Sequence, residues 1–255
     1  MQPVDAALVL RLRAAGCVFA EDEARLLAAA ARDGADLAAL VGRRVAGAPL
    51  EQLLGWAEFC GLRIAVAPGV FVPRQRTGLM VREAAAVARP GAVVVDLCCG
   101  TGAVAAALAA AVPGIDLHAA DVDPAAVRCA RRNLPGLPVH QGDLFAALPG
   151  GLAGRVDVLT ANVPYVPTAA IALMPPEARD HEPRVALDGG ADGLALVRRV
   201  ADGASRWLAP GGSLLFECGE GQVATAVDVV TAGGLVPRLV SDDDLGATVV
   251  VGTRP

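Results

Sequence analysis

The sequence predicts an α/β fold: a doubly wound, mostly parallel sheet that ends in one reversed strand, preceded by a small N-terminal helical domain. Three observations carry this reading. After Gly91, short apolar runs alternate with helix-length segments in a series of βα units, the pattern of a parallel sheet covered on both faces. The last two apolar runs, residues 235–240 and 247–253, are separated only by the acidic turn 241–246. A parallel crossover needs about a dozen residues or more, so this pair is antiparallel. Before Pro49, apolar residues recur at helical spacing and no strand pattern is present.

The bulk composition bounds the function. A chain of 255 residues holds one large domain, or a domain of ordinary size behind a small one. No apolar run is long enough to cross a bilayer. The first 20 residues carry Asp5 and Arg11 and lack the uninterrupted apolar core of a signal peptide, so a cytoplasmic location is expected. All 22 basic residues are arginine, a coding bias of GC-rich genomes, and the formal charge of -5 argues against broad phosphate-backbone contact. Stable nucleic-acid binding is therefore not expected. Cys17, Cys60, Cys98, Cys99, Cys129 and Cys218 lack C-x-x-C spacing, and the three histidines are far apart, so neither a metal site nor a disulfide is predicted. Nothing in the sequence sets the oligomeric state.

In chain order, three short helices are expected in the first domain, residues 1–48. Their apolar faces are Val4, Leu8, Leu12 and Ala15, then Ala24, Leu27 and Ala31, then Leu37, Leu40 and Val41, with Gly16 and Gly34 as punctuation. Residues 49–76 read as a linker carrying a hairpin, with Phe59 and residues 62–66 on strands joined near Gly61. The third unit, residues 77–255, opens with a helix over 77–88 that Pro90-Gly91 ends. Strands are expected at 92–95, 115–120, 137–140, 156–161 and 213–218, followed by the final pair. Helices are expected at 103–111, 124–132 with Asp123 as N-cap, 193–208 and 221–232.

Two groups of residues carry the chemistry. The turn Asp96-Leu97-Cys98-Cys99-Gly100-Thr101-Gly102 joins the first strand of the series to its helix. There glycines let the backbone approach a ligand, and the helix N-terminus offers free N–H groups. No further glycine follows at the spacing of a dinucleotide fingerprint, so no pyrophosphate is expected, and Asp96 suits a cationic or hydroxyl-bearing ligand. Asp121 closes the next strand about twenty residues on, where a carboxylate accepts from ribose hydroxyls, or else serves as an ordinary loop carboxylate. Asp143 and Leu144 follow the third strand, placed to accept from an adenine amino group and to cover its ring. A helix N-cap is the competing role for Asp143.

The second group is Asn162-Val163-Pro164-Tyr165, at the end of the apolar run 156–161. Pro164 removes a donor and disfavours helix at Val163, so the segment is held extended, with carbonyls and an amide turned toward a pocket for a planar nitrogen. The competing role for Asn162 is a turn residue after a strand.

At this point the sequence resembles a known family. Asn162-Val163-Pro164-Tyr165 is similar to the N-P-P-Y motif of amino-methyltransferases, and the whole chain resembles the protein-(glutamine-N5) methyltransferases that modify peptide chain release factors or a ribosomal protein. The likeness includes Leu53-Leu54-Gly55 with Glu58-Phe59, Phe71-Val72-Pro73-Arg74 with Thr77, and the Asp96 turn. It continues through Glu182 to Gly190 with Asp192-Gly193-Leu194, and Asp244-Leu245-Gly246. The resemblance implies a seven-stranded class I S-adenosylmethionine-dependent methyltransferase sheet, Rossmann-like, with its last strand reversed. It implies S-adenosylmethionine as cofactor, held by Asp96, Cys98, Gly100, Thr101, Gly102, Asp121, Asp143, Leu144 and Asn162. It also implies a protein acceptor from translation termination or the ribosome, methylated on a glutamine side-chain nitrogen. Asn162 and Tyr165 would be the catalytic residues, and Asn162, Val163, Pro164 and Tyr165 the acceptor-binding ones. Phe71, Arg74 and Thr77 either line the same cleft or only support the hairpin.

Three departures from the family pattern bear on the acceptor. Val163 replaces the second-position proline, Pro73-Arg74-Gln75-Arg76-Thr77-Gly78 loses two acids and gains Arg76, and Cys98 replaces the first loop glycine. Competing expectations are transfer to a small-molecule amine, transfer to adenine N6 of a nucleic acid, and cofactor binding without catalysis.

Overall fold

The computed structural model describes residues 5–255, so Val4, placed above on the first helical face, lies outside the described residues. Helices α1 (Ala6–Ala14), α2 (Ala20–Ala30), α3 (Gly34–Val45) and α4 (Leu50–Leu54) come first. Asp5 and Asp33 cap α1 and α3 by accepting backbone N–H bonds from Ala7 and Asp36. Leu12, Ala20, Ala24, Leu27, Val41 and Leu53 form a small core of their own. The short helix α4 was not foreseen, because five residues carry too little periodicity to read. It ends at Gly55, whose φ of 76° makes the left-handed stop.

Beneath that core, Glu23 is 7% exposed and its carboxylate takes two bonds from Arg44, at 2.6 and 3.1 Å. Arg44 also donates to Ala48 O at 3.2 Å and to Glu177 at 3.4 Å, which ties the helices to a distant segment flanking the site described below.

The hairpin follows as β1 (Trp56–Phe59) and β2 (Leu62–Ala65), antiparallel with Phe59 opposite Leu62. Its turn at Cys60-Gly61 has positive φ at both residues, 50° and 75°. That is the backbone of the tight hairpin turn that matches strand twist. Helix α5 (Gly78–Val87) then leads into the sheet.

The seven strands are β3 (Val93–Leu97), β4 (Asp116–Asp121), β5 (Val139–Gln141), β6 (Val156–Ala161), β7 (Leu208–Glu217), β8 (Val236–Asp242) and β9 (Ala247–Thr253), in the spatial order β5-β4-β3-β6-β7-β9-β8. β9 runs antiparallel to both neighbours while β3 to β7 are parallel, as the short turn before it requires. Helices α6 (Ala103–Ala111) and α7 (Pro124–Asn133) join α5 on one face. Helices α9 (Ala195–Trp207) and α10 (Val223–Ala232) cover the other. α8 (Pro176–His181) lies between, in a stretch for which no element was expected.

All five residues of β3 are buried. Val94 faces the α5–α7 layer and Val93, Val95 and Leu97 the opposite layer, the two-sided burial of a central parallel strand. β7 begins earlier than its apolar run suggests, and its register with β6 slips between Val156 and Val158, where Pro210-Gly211-Gly212 is accommodated.

Among the described residues no helix is long and apolar enough to cross a membrane. The buried Glu23–Arg44 pair supplies a stability test. Replacing Glu23 by Ala leaves a guanidinium that is 11% exposed without its main partner, so we expect a loss of about 3 kcal/mol in urea denaturation. A loss near zero would mean that Glu177 and water suffice.

Candidate active site

The chain passes from β3 outward to β4 and β5, then returns to the other side of β3 as β6. Loops leaving the carboxyl ends of β3 and β6 therefore diverge, and the crevice between them is where ligands bind in open α/β sheets. A cavity of about 430 Å³ lies there.

Asp96 and Thr160 sit opposite each other in the β3–β6 register, and the Thr160 hydroxyl donates to Asp96 Oδ1 at 2.8 Å. Asp96 is 1% exposed and its Oδ2 has no partner among the described residues. Burial pushes its carboxyl up to about 7.

The turn after Asp96 places Cys98 and Gly100 in the left-handed region, both at φ 54°. The Gly100 N–H donates to Asp121 Oδ2 at 2.8 Å, while Asp121 Oδ1 accepts from Asp123 N at 2.9 Å. Asp121 thus ties the β3 turn to the end of β4, and burial raises its pKa. The expected N-cap is observed too: Asp123 accepts from Ala125 N at 2.8 Å.

Gly102 does not line the cavity. Its φ is 75°, and a Cβ there would come within 3.0 Å of Leu134 Cδ1 and 3.2 Å of Ala130 Cβ, so this glycine serves the packing of α6 on α7.

Asp143 and Leu144 flank the far wall. Asp143 makes no side-chain cap; its Oδ2 accepts from Arg199 of α9 at 2.6 Å. Leu144 is 8% exposed with φ 48°, an uncommon conformation for a bulky residue that turns the chain at the cavity wall.

On the β6 side, Asn162, Val163, Pro164 and Tyr165 all line the cavity. Their conformation is fixed from outside by a glycine-rich segment. Val166 N donates to Leu187 O at 3.1 Å, Gly189 N to Val166 O at 2.9 Å and Thr168 N to Gly190 O at 2.9 Å. A Cβ at Gly189 would lie 2.7 Å from Pro164 O, so only glycine lets the two backbones meet. Gln222 adds a bond to Tyr165 O at 2.9 Å. Tyr165 Oη reaches Glu217 Oε2 at 3.5 Å, and burial, with Glu217 beside it, pushes the phenol up to about 12.

Asp96, Cys98, Gly100, Thr101, Asp121, Asp143, Leu144, Asn162, Val163, Pro164 and Tyr165 thus meet at one cavity. So do Phe71, Arg74 and Thr77. Glu182 is 6% exposed and takes both Arg74 Nη2 bonds, at 2.7 and 2.8 Å. Sequence reasoning missed Thr160, Arg199 and Glu217 as members of the site. Glu217 had a signal: it ends the apolar run of β7, the same place that Asp96 and Asn162 occupy at β3 and β6. Asn133 was also missed. Its amide spans Ala65 N and O and Thr101 O, at 2.8 to 2.9 Å, joining the hairpin to the β3 turn.

Asp96, Asp121, Asp123 and Asp143 line this part of the cavity, Asp96 buried with an unpartnered oxygen, and such a set suits a ligand carrying positive charge and hydroxyls. S-adenosylmethionine, with its sulfonium, ammonium and ribose, fits that donor and acceptor set.

Residues 94–180 match the family described as "Methyltransferase domain". The release factor glutamine methyltransferase of Geobacter sulfurreducens is 38% identical over 219 residues, covering 84% of this chain and 76% of that protein. A Streptomyces pristinaespiralis protein named 4-amino-L-phenylalanine/4-methylamino-L-phenylalanine methyltransferase is 40% identical over 203 residues, covering 76% of this chain and 69% of that one. In fold, the chain is similar to the crystal structure of a methyltransferase from Pyrococcus furiosus, with a TM-score of 0.58 and 17% identity over 76% of this chain and 89% of that chain.

A cavity at the switch point of a seven-stranded sheet whose last strand is reversed defines a class I S-adenosylmethionine-dependent methyltransferase. At 38% identity over most of both chains, the sequence places it further: the chain belongs to the release factor glutamine methyltransferase family.

The buried Asp96 makes a pH test. The folded protein holds this proton to about 7, whereas 3.8 is its ordinary value, so stability falls as pH rises between those values and is level above them. Asp96→Asn removes that dependence. Between about pH 4.5 and 7.5, urea denaturation of the ligand-free variant should gain about 3 kcal/mol relative to wild type. Parallel pH profiles would contradict the assignment.

Proposed function

We propose that the chain transfers a methyl group from S-adenosylmethionine to the side-chain nitrogen of a glutamine in a peptide chain release factor or ribosomal protein. The observation that carries this is the Asn162-Val163-Pro164-Tyr165 segment, clamped beside the cofactor end of a single cavity.

S-adenosylmethionine, when bound, supplies an electrophilic methyl on a positively charged sulfur. Asp96, Asp121, Asp143 and Leu144 would hold it, together with the turn at Cys98, Gly100 and Thr101. The rest of the work falls to the β6 loop. An amide nitrogen is a weak nucleophile because its lone pair is delocalised into the carbonyl, so orientation and hydrogen-bond acceptors matter more than a strong base. The Asn162 side-chain oxygen and the Val163 carbonyl would accept from the acceptor NH₂ and fix the lone pair toward the methyl. Val163 brings a carbonyl just as the family's proline does, and with Val163 at 2% exposed this wall excludes water.

Tyr165 packs on the acceptor amide. With its phenol held near 12 it stays protonated at neutral pH and acts as a surface and a donor, not as a base. The helical unit assigned to residues 1–48 would hold the acceptor protein, and Arg44 links it through Glu177 to the segment that walls the acceptor end.

A second reading has one observation behind it: the Streptomyces pristinaespiralis relative is named for an aromatic amine acceptor. An amine on a ring is also a conjugated nitrogen, so the same loop could orient it. The two readings separate on whether a gain of one methyl appears on a protein glutamine or on a low-molecular-weight amine.

Asn162→Ala tests the role of the loop. The expected outcome is a fall in kcat of about 100-fold or more, with cofactor affinity by calorimetry changed only a few-fold. Unchanged turnover on the accepted substrate would remove Asn162 from the mechanism.

A further inference from the structure

The acceptor end of the cavity holds two arginines in different states. Arg74 is bonded to a buried acid: its Nη2 donates to both oxygens of Glu182, and it lies 5.0 Å over the Phe71 ring. Arg76 stands where the family pattern has an acid. Its side chain is 45% exposed, and its nearest carboxylate contact is a single one, Nε to Glu217 Oε2 at 3.8 Å. Its guanidinium lies 5.8 Å from the centre of the Tyr165 ring.

Glu217 anchors this arrangement from behind. It is 3% exposed, shares Oε2 between Arg76 and the Tyr165 hydroxyl, and leaves Oε1 without a partner among the described residues. At 3.8 Å the Nε contact is longer than a hydrogen bond, so Glu217 orients the guanidinium by charge and leaves its N–H groups for another partner, and two parallel N–H groups match a carboxylate. The same cation penalises a basic group at that place.

From this geometry we infer that Arg76, set by Glu217 and Tyr165, is an acceptor-specificity residue that takes a carboxylate adjacent to the nitrogen being methylated. The inference deepens the glutamine reading above and rests on it for the identity of that nitrogen. The carboxylate comes either from an acidic side chain next to the glutamine in a peptide or from the free α-carboxylate of the glutamine itself. Binding and turnover are measured apart, so that the two ideas fail separately.

Binding is measured by calorimetry to the protein saturated with S-adenosylhomocysteine. The probes are three peptides of equal length, with a central glutamine flanked by glutamate, alanine or lysine, together with N-acetylglutamine. Methyl transfer to the same four compounds is followed by mass spectrometry. The glutamate-flanked peptide should bind on the order of tenfold more tightly than the lysine-flanked one. Arg76→Gln should level the peptides and Arg76→Glu should reverse their order, with S-adenosylhomocysteine affinity retained in both as the check on folding. If only N-acetylglutamine responds to residue 76, the α-carboxylate is the source and Arg76 keeps its role. Binding of all four that ignores residue 76, or no binding at all, overturns the proposal. Charge-dependent binding through Arg76 with no methyl on any glutamine would leave Arg76 in place and remove the glutamine reading.

Discussion

The bond from the Thr160 hydroxyl to Asp96, made across the β3–β6 register, is the constraint on which the site depends. Parallel pairing puts the carboxyl ends of the two strands level with each other, so the loops leaving them open the same crevice from opposite walls. One loop turns through Cys98 and Gly100 and is tied by Asp121; the other runs through Asn162 to Tyr165. A one-residue slip between these strands would carry Asp96 to the opposite face of the sheet. Asp96 is tolerated in the core because one oxygen is bonded and the group is held close to neutrality. That buried, half-satisfied carboxylate is the kind of local cost that a ligand-binding site retains.

The acceptor side is built differently, from backbone meeting backbone. The Leu187–Gly190 stretch bonds to Val166 and Thr168 and passes close to Pro164, which only a residue without Cβ allows. The loop therefore owes its extended form to this clamp as well as to Pro164. The change at Arg76 is one of charge, which faces the acceptor instead of the fold.

Much of the sheet was legible in the sequence. β3, β6 and β9 are dominated by apolar residues because they are largely buried on both faces, with Asp96, Asp157 and Thr160 the polar interruptions in β3 and β6, and the short turn before β9 forces its reversal. The cofactor turn was legible because glycine spacing and flanking acids are local signals. Less legible were features that depend on distant partners. The N-cap role open to Asp143 is not taken up: its carboxylate lines the cavity and meets Arg199, 56 residues away. Gly102 ends the cofactor turn, and the need for glycine there comes from Leu134 and Ala130, more than twenty residues on, against which a Cβ would crowd. Helix α8 and the turns around it, which wall the acceptor end, have little periodicity and are held by Glu182–Arg74 and Glu177–Arg44, contacts that span about half the chain. Glu217 carried a local signal at the end of the β7 run, and the strand order, which sets β7 beside β6, shows why that signal points to the acceptor side.

The central claim is that one cavity at the β3–β6 crevice brings the methyl donor and a glutamine amide together at Asn162. The most direct measurement is a crystal structure of the protein with S-adenosylhomocysteine and a glutamine-containing peptide that it methylates. The account predicts the sulfur beside the Asp96 turn and the glutamine nitrogen within hydrogen-bond reach of both the Asn162 side chain and the Val163 carbonyl. A peptide bound with its glutamine nitrogen away from Asn162, or the homocysteine ligand outside this crevice, would contradict it.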